Sequence, residues 1–260
     1  LLQTPIYTID FRNHGDSEHA LPFDYETLTN DLLHFVEKHN LKNPSLIGYS
    51  LGAKVSMLAL LRQPSLFKSA MIIDNSPVDQ PEIIPFLKIF RKACVETVNK
   101  AGIKADDKEY RSKASKYMSK FIPNAGIRGY LLQNCINKAP KNPSPVINYN
   151  DGMIHWKNPV NHMAVVSEQN VAAWPQVPED VKFNGPVGFL RGTRSDFVLQ
   201  KGRDAIAKYF PNHRIFDINA THFILNERPS EYVGAVADWF KTGRHEVEKL
   251  AAKKADKAQL

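Results

Sequence analysis

The chain is poor in cysteine, with only Cys94 and Cys135 among 260 residues. The two form no C-x-x-C pair and flank no histidine cluster. That excludes a cysteine-based metal site and suggests a reducing compartment, with buried free thiols as the expectation. Long apolar runs are also lacking. No segment approaches the ~20 residues of a spanning helix, so no stable membrane insertion is expected. Internal repeats and low-complexity tracts are absent. So are a start methionine and a targeting segment: Leu1-Leu2-Gln3 leads straight into a strand-like stretch. The chain therefore reads as a fragment or a processed form.

What is present suffices for a buried core, at 43% hydrophobic residues. The net charge of +7 is uneven. Residues 77–145 hold thirteen Lys/Arg against six Asp/Glu, and residues 241–260 hold six against three, leaving the rest mildly acidic. A basic face attracts phosphate-bearing substrates, anionic membranes or nucleic acid. No nucleic-acid motif accompanies it, so no nucleic-acid partner is expected. Most of these lysines read as a solvated helical surface.

Pro5–Asp10 has the pattern of a buried strand and ends in a turn-rich loop, Arg12 to Ser17. Tyr25–His39 reads as a helix, with Leu28, Leu32, Phe35 and Val36 at helical spacing. Leu46–Gly48 reads as a strand, Lys54–Arg62 as a helix and Ala70–Asp74 as a third strand. Strands alternating with helices indicate a parallel sheet with right-handed crossovers. The pattern then changes. Glu82–Lys100, Asp107–Phe121 and Ala125–Lys138 read as helices without strands between them. Val146–Trp156, with Asn150-Asp151-Gly152, reads as a hairpin. Sheet pattern resumes at Pro186–Leu190 and Arg214–Ile218, and Ser230–Phe240 is a closing helix. Four segments follow: residues 1–76 as the first part of an α/β core, 77–180 as a helical cap insertion, 181–242 as its second part, and 243–260 as a basic C-terminal tail.

The sharpest signal is Gly48-Tyr49-Ser50-Leu51-Gly52, between a strand and a helix. A serine on such a turn projects its hydroxyl into the open, and flanking glycines let neighbouring backbone pass closely. The helix behind it aims N–H groups, that of Leu51 first, at an oxyanion formed during attack. A serine needs a base, and the base needs an orienting group. His222 follows the last strand, so it falls on the sheet edge that carries Ser50. His14 reads as structural, and His34 and His39 as solvent-facing. His155 and His162 belong to the cap, where they are candidates to line substrate. Two acids end strands, Asp74 and Asp196, and each gives the chain order Ser, Asp, His. Position alone slightly favours Asp196. His213-Arg214-Ile215-Phe216-Asp217 matches H-x-x-x-D, but it straddles a strand start and lacks the following glycine, so it reads as chance.

Three motifs in order, Asp10 to Ser17, Gly48 to Lys54 and Ile73-Asp74-Asn75-Ser76-Pro77, resemble the small α/β-hydrolases of mitochondria. Fungal members of that family include ethanol acetyltransferases. The resemblance implies the α/β-hydrolase fold: a mostly parallel sheet with a helical cap insertion, here with the N-terminal strands missing. It implies Ser50 as nucleophile, His222 as base and Asp74, ahead of the cap, as acid, leaving Asp196 as the alternative. It implies a mitochondrial location, no cofactor, and acetyl-CoA and ethanol as small-molecule substrates. The basic cap is compatible with CoA phosphates. Relatives carry further strands and a His-Gly loop that supplies a second oxyanion donor; this chain starts after that point, with Leu51 as the one donor it can name. An acyl-serine enzyme making ethyl acetate is the leading expectation. A plain esterase or thioesterase, or a binding or assembly protein without activity, are the alternatives. Met153, Trp156 and Met163 are candidates for an apolar acceptor lining.

Overall fold

A computed structural model describes residues 4–144, 147–159 and 168–249. Two compact units divide them. The first comprises the described parts of residues 1–7, 25–80 and 173–260; the second comprises 8–24 and 81–172.

The first unit is built on a four-stranded parallel sheet. Its strands are β1 (Ser45–Tyr49), β2 (Ser69–Ile73), β5 (Val187–Gly192) and β6 (His213–Ile218), in spatial order β1-β2-β5-β6. All five residues of β2 are buried, as a continuous apolar strand covered on both faces requires. Helices α1 (Tyr25–Lys38) and α2 (Leu51–Arg62) pack against each other. Leu28, Leu32 and Val36 form the buried stripe of α1, each four residues from the next. Nine consecutive residues of α2, Ala53 to Leu61, are buried, so this helix is enclosed rather than amphipathic. Met71, Ile73, Leu190 and Ile218 pack with Trp239, which follows the late helix Pro229–Asp238. Each such side chain contributes roughly 1.5–3 kcal/mol of burial free energy.

Register positions the strand ends. Tyr49 lies opposite Ile73, Ile73 opposite Leu190, and Gly192 opposite Ile218. The residues that follow these positions therefore share one edge of the sheet.

The second unit contains a 3₁₀ turn (Pro81–Ile83), α3 (Ile84–Lys100), α4 (Tyr110–Met118), α5 (Ala125–Leu132) and α6 (Glu168–Ala172). It also has a two-stranded antiparallel pair, β3 (Cys135–Ile136) and β4 (His155–Trp156). Its core joins Ala93, Cys94, Met118, Leu131, Cys135 and Trp156.

Several expectations are corrected. Pro5–Asp10 is not a strand; Ile6 and Tyr7 are 67% and 53% exposed. Strand propensity needs a ladder to join, and among the described residues β1 pairs only with β2. The Asp10 carboxylate instead accepts the Asp16 N–H at 3.0 Å. Residues 8–24 belong with the inserted helices, not with the sheet. Lys157 pairs with Asp16 at 2.7 Å, and Asn142 donates to the Asp16 carbonyl. The helix expected over Ala125–Lys138 stops at Leu132, because Cys135–Ile136 pairs with His155–Trp156. The hairpin expected over Val146–Trp156 is thus replaced by a longer-range pair. Its Asp-Gly step is a bend and not a primed turn, since only Gly152, at φ +76°, has positive φ; Asp151 accepts the Met153 N–H at 2.8 Å. Val146 itself lies outside the described residues.

Candidate active site

Ser50 separates β1 from α2 with φ 55° and ψ −113°. A non-glycine residue in that region is strained and persists only when its surroundings over-determine it. Three bonds do so. The Ser50 N–H donates to the Ile73 carbonyl at 3.1 Å, Asn75 Nδ2 donates to the Ser50 carbonyl at 2.9 Å, and that carbonyl also takes the Ala53 N–H at 3.1 Å. The two motif glycines are not equivalent. A Cβ at Gly48 would lie 2.4 Å from the Gly52 carbonyl oxygen and 2.5 Å from Ser56 Oγ, whereas one at Gly52 would meet open space. Only Gly48 is sterically required.

His222 Nε2 lies 2.9 Å from Ser50 Oγ, and its Nδ1 lies 2.7 Å from Asp74 Oδ2. Asp74 ends β2 with φ 49° and is fully buried. Its other oxygen, Oδ1, accepts the Gly192 N–H at 2.9 Å. The Ser195 hydroxyl donates to Oδ2 at 2.5 Å. Together these bonds hold the buried carboxylate in place. The imidazole is fixed on its faces as well. Phe197 stacks on it with centroids 3.7 Å apart and planes 11° apart, and Tyr49 stacks at 5.2 Å and 27°. The Tyr49 hydroxyl donates to the His222 carbonyl at 2.8 Å. Phe197 is held in turn: its carbonyl accepts Ser76 Oγ at 2.9 Å and Gln80 Nε2 at 2.6 Å. Leu51 opens α2, where first-turn N–H groups have no carbonyl partner within the helix.

The structure thus brings together Ser50, His222 and Asp74, and leaves Asp196 outside. Asp196 is exposed and starts a 3₁₀ turn; its neighbour Ser195 reaches Asp74 instead. Position along the chain favoured the wrong member of that dipeptide. Sequence reasoning missed Ser195, Phe197 and Tyr49. The one signal was that two of them lie in or beside the loop already singled out for its acid.

The remaining histidines have other partners. His14 packs on Phe23 with centroids 5.7 Å apart; burial lowers its pKa below the usual imidazole value, partly opposed by its contact with the Arg12 carbonyl. His34 and His39 are exposed. His155 lies 2.9 Å from Asp151 within the second unit. His162 and Met163 lie outside the described residues. His213 contacts the Phe210 carbonyl at 2.8 Å, while Asp217, four residues along the same extended strand, binds Arg191. Trp156 is core rather than lining: it is buried and donates to the Cys94 carbonyl at 2.7 Å. Met153 forms a single bridge with Lys104. Among the described residues no group of three or more His, Cys, Asp or Glu side chains could hold a metal ion, and no helix is long and apolar enough to cross a membrane.

A serine, a histidine and a buried carboxylate in hydrogen-bonded series, on a strand-to-helix turn of a parallel sheet, have the geometry of serine-nucleophile acyl-transfer enzymes. Comparisons agree with that class. A family model described as the alpha/beta hydrolase fold matches residues 3–96. An ethanol acetyltransferase of Hanseniaspora uvarum is 89% identical over 260 residues, covering all of this chain and 78% of its own length. Its counterpart in Kluyveromyces marxianus is 57% identical over 251 residues, covering 95% of this chain and 69% of its own. Among solved structures, a marine microorganism esterase shares the fold with a TM-score of 0.74 and 24% identity, over 88% of this chain and 82% of its own. The chain belongs to the α/β-hydrolase family, alongside these ethanol acetyltransferases, and is an enzyme of its acyltransferase–hydrolase class.

Proposed function

We propose that the protein transfers an acetyl group from acetyl-CoA to ethanol through an acyl-serine at Ser50. The observation that carries this reading is the series Ser50–His222–Asp74 at 2.9 and 2.7 Å, in a chain so similar to an ethanol acetyltransferase. Ser50 Oγ attacks the thioester carbonyl carbon while His222 Nε2 takes its proton. The Leu51 N–H faces the developing oxyanion. The C–S bond breaks, and the thiolate leaves as a thiol with the proton from His222. Ethanol then attacks the acyl-serine, its hydroxyl proton passes to Nε2, and the ester forms as that proton returns to Ser50 Oγ. Asp74 keeps Nδ1 protonated and faces the imidazolium at each transfer.

Water can take the place of ethanol in the second half, so the same site would act as a thioesterase or esterase. Partition between the two acceptors decides what the enzyme makes. The complete hydrogen-bonded series argues against a purely assembling role. Mitochondrial residence is part of the proposal and rests on the motif resemblance; fractionation of source cells tests it.

The deciding experiment supplies acetyl-CoA and ethanol. It follows ethyl acetate by headspace gas chromatography and CoA by free-thiol assay. The ester fraction should rise with ethanol concentration. Steady CoA release without ethyl acetate at high ethanol would make the enzyme a plain thioesterase.

A further inference from the structure

The first turns of α3 expose apolar side chains, which is unusual for a globular surface. Phe86 and Ile89, three residues apart and therefore neighbours on the helix, are 37% and 51% exposed. Phe86 stands 5.5 Å from the ring of Phe90. The same helix turns Lys88, Arg91 and Lys92 to solvent, and a groove of about 380 Å³ runs beside them as far as Lys100. The acids on this helix and its entry turn are Glu82 and Glu96, and Glu96 already pairs with Lys100 at 3.3 Å.

The patch continues onto the end of α4. Lys92 Nζ lies 5.6 Å over the Phe121 ring, Lys120 Nζ lies 4.1 Å over Tyr117, and those two rings are 6.3 Å apart. Aliphatic, aromatic and cationic side chains thus alternate over one surface of the second unit.

We propose that the N-terminal half of α3, extended by Lys120, docks the protein in the plane of an anionic membrane. Three features select that occupant. Charge is complementary to anionic headgroups: Lys88, Lys92 and Lys120 are exposed, and of the two acids Glu96 is already paired with Lys100. Phe86 and Ile89 give the apolar seat that a merely electrostatic partner would not use, and a helix with apolar side chains beside Lys/Arg lies in the interface. The ammonium groups of Lys92 and Lys120 lie over aromatic rings, so charge and apolar surface stand side by side, as in the headgroup layer of a membrane. The surface lies on the membrane and does not span it.

The test is co-sedimentation of the chain with phosphatidylcholine vesicles, with and without phosphatidylglycerol. Binding should need the anionic lipid and fall with added salt. Each cation near such a surface strengthens partitioning about fivefold, so Lys88→Gln/Lys92→Gln should weaken it about 25-fold. Phe86→Ser/Ile89→Ser should abolish it at moderate salt. Both variants should keep the parental melting temperature and the hydrolysis rate of a water-soluble ester, which separates docking from folding and from the chemistry at Ser50. Equal binding to both kinds of vesicle, binding to neither, or unchanged binding of either variant overturns the proposal.

Discussion

Asp74→Asn tests the site most directly, because three donors converge on one buried carboxylate. Oδ1 receives the Gly192 N–H; Oδ2 receives His222 Nδ1 and the Ser195 hydroxyl. An asparagine offers one acceptor and one NH₂. With the NH₂ at the Oδ1 position it meets the Gly192 N–H, and a buried donor loses its acceptor at a cost of about 1–3 kcal/mol. With the NH₂ at the Oδ2 position, Ser195 can rotate to accept and His222 can accept at Nδ1. The backbone N–H cannot adapt, so the second arrangement wins. It moves the imidazole proton to Nε2, where it points at Ser50 Oγ, and the base can no longer take a proton. Turnover should fall by about 10,000-fold, the size expected for the wrong tautomer. The fold should survive, since the Gly192 N–H keeps its acceptor and only the Ser195 hydroxyl must redirect its proton. Asp196→Asn, at an exposed position, should change turnover by no more than about twofold. Steady-state hydrolysis of p-nitrophenyl acetate, with kcat and KM resolved and melting followed by fluorimetry, reads both variants. An Asp74→Asn enzyme within about tenfold of the parent, or a larger loss at Asp196, would refute the tautomer argument.

Other expectations follow from the same geometry. Ser50→Ala should abolish ester formation and hydrolysis together, by a factor on the order of 10⁵ or more, because both pass through one acyl-serine; product analysis that shows one activity surviving would remove Ser50 from the mechanism. Gly48→Ala should destabilise the turn by about 1–3 kcal/mol or more through backbone collision, while Gly52→Ala, facing open space, should melt and turn over like the parent; thermal unfolding of the pair decides. Burial pushes the Cys94 thiol up to about 12 and that of Cys135 to about 11. The thiolate is the reactive form, so Ellman's reagent at pH 8 should titrate neither cysteine until the protein is unfolded.

How far the sequence could be read depended on how local each signal was. The turn at Ser50 is written in adjacent residues, strand, glycine, serine and helix, and could be read directly. His222 needed one further rule, that strand ends of a parallel sheet share an edge. Asp74 over Asp196 needed the motif resemblance, because both acids follow strands and only side-chain direction separates them. Ser195 and Phe197 were marked only by lying beside Asp196: their contacts with Asp74 and His222 cross 121 and 25 positions of chain and carry no spacing rule. Pro5–Asp10 failed for the complementary reason. Its buried-strand pattern is real, but a strand exists only with a partner, and partners are not encoded nearby. Trp156 likewise reads as a lining aromatic until its indole is found on the Cys94 carbonyl.

The site rests on one backbone device that no residue type announces. Tyr49 and Ile73 are register partners on β1 and β2. The next residue on each strand, Ser50 and Asp74, turns into the left-handed region, at φ 55° and 49°. Aspartate, like glycine and asparagine, visits that region, but serine rarely does. Two adjacent parallel strands thus each pass into a positive-φ residue at the same level. The Ser50 N–H bonds the Ile73 carbonyl at 3.1 Å, and the Asp74 N–H bonds that of Leu190 at 2.8 Å. Each strained residue is held by the next strand across the sheet. Both side chains reach the same histidine from the same edge, and the spacing between strands, about 4.8 Å, suits an imidazole that bridges them. Strain of this kind costs on the order of 1–3 kcal/mol per residue. The buried strand β2 and the enclosed helix α2 supply the rigidity that sustains it at both positions.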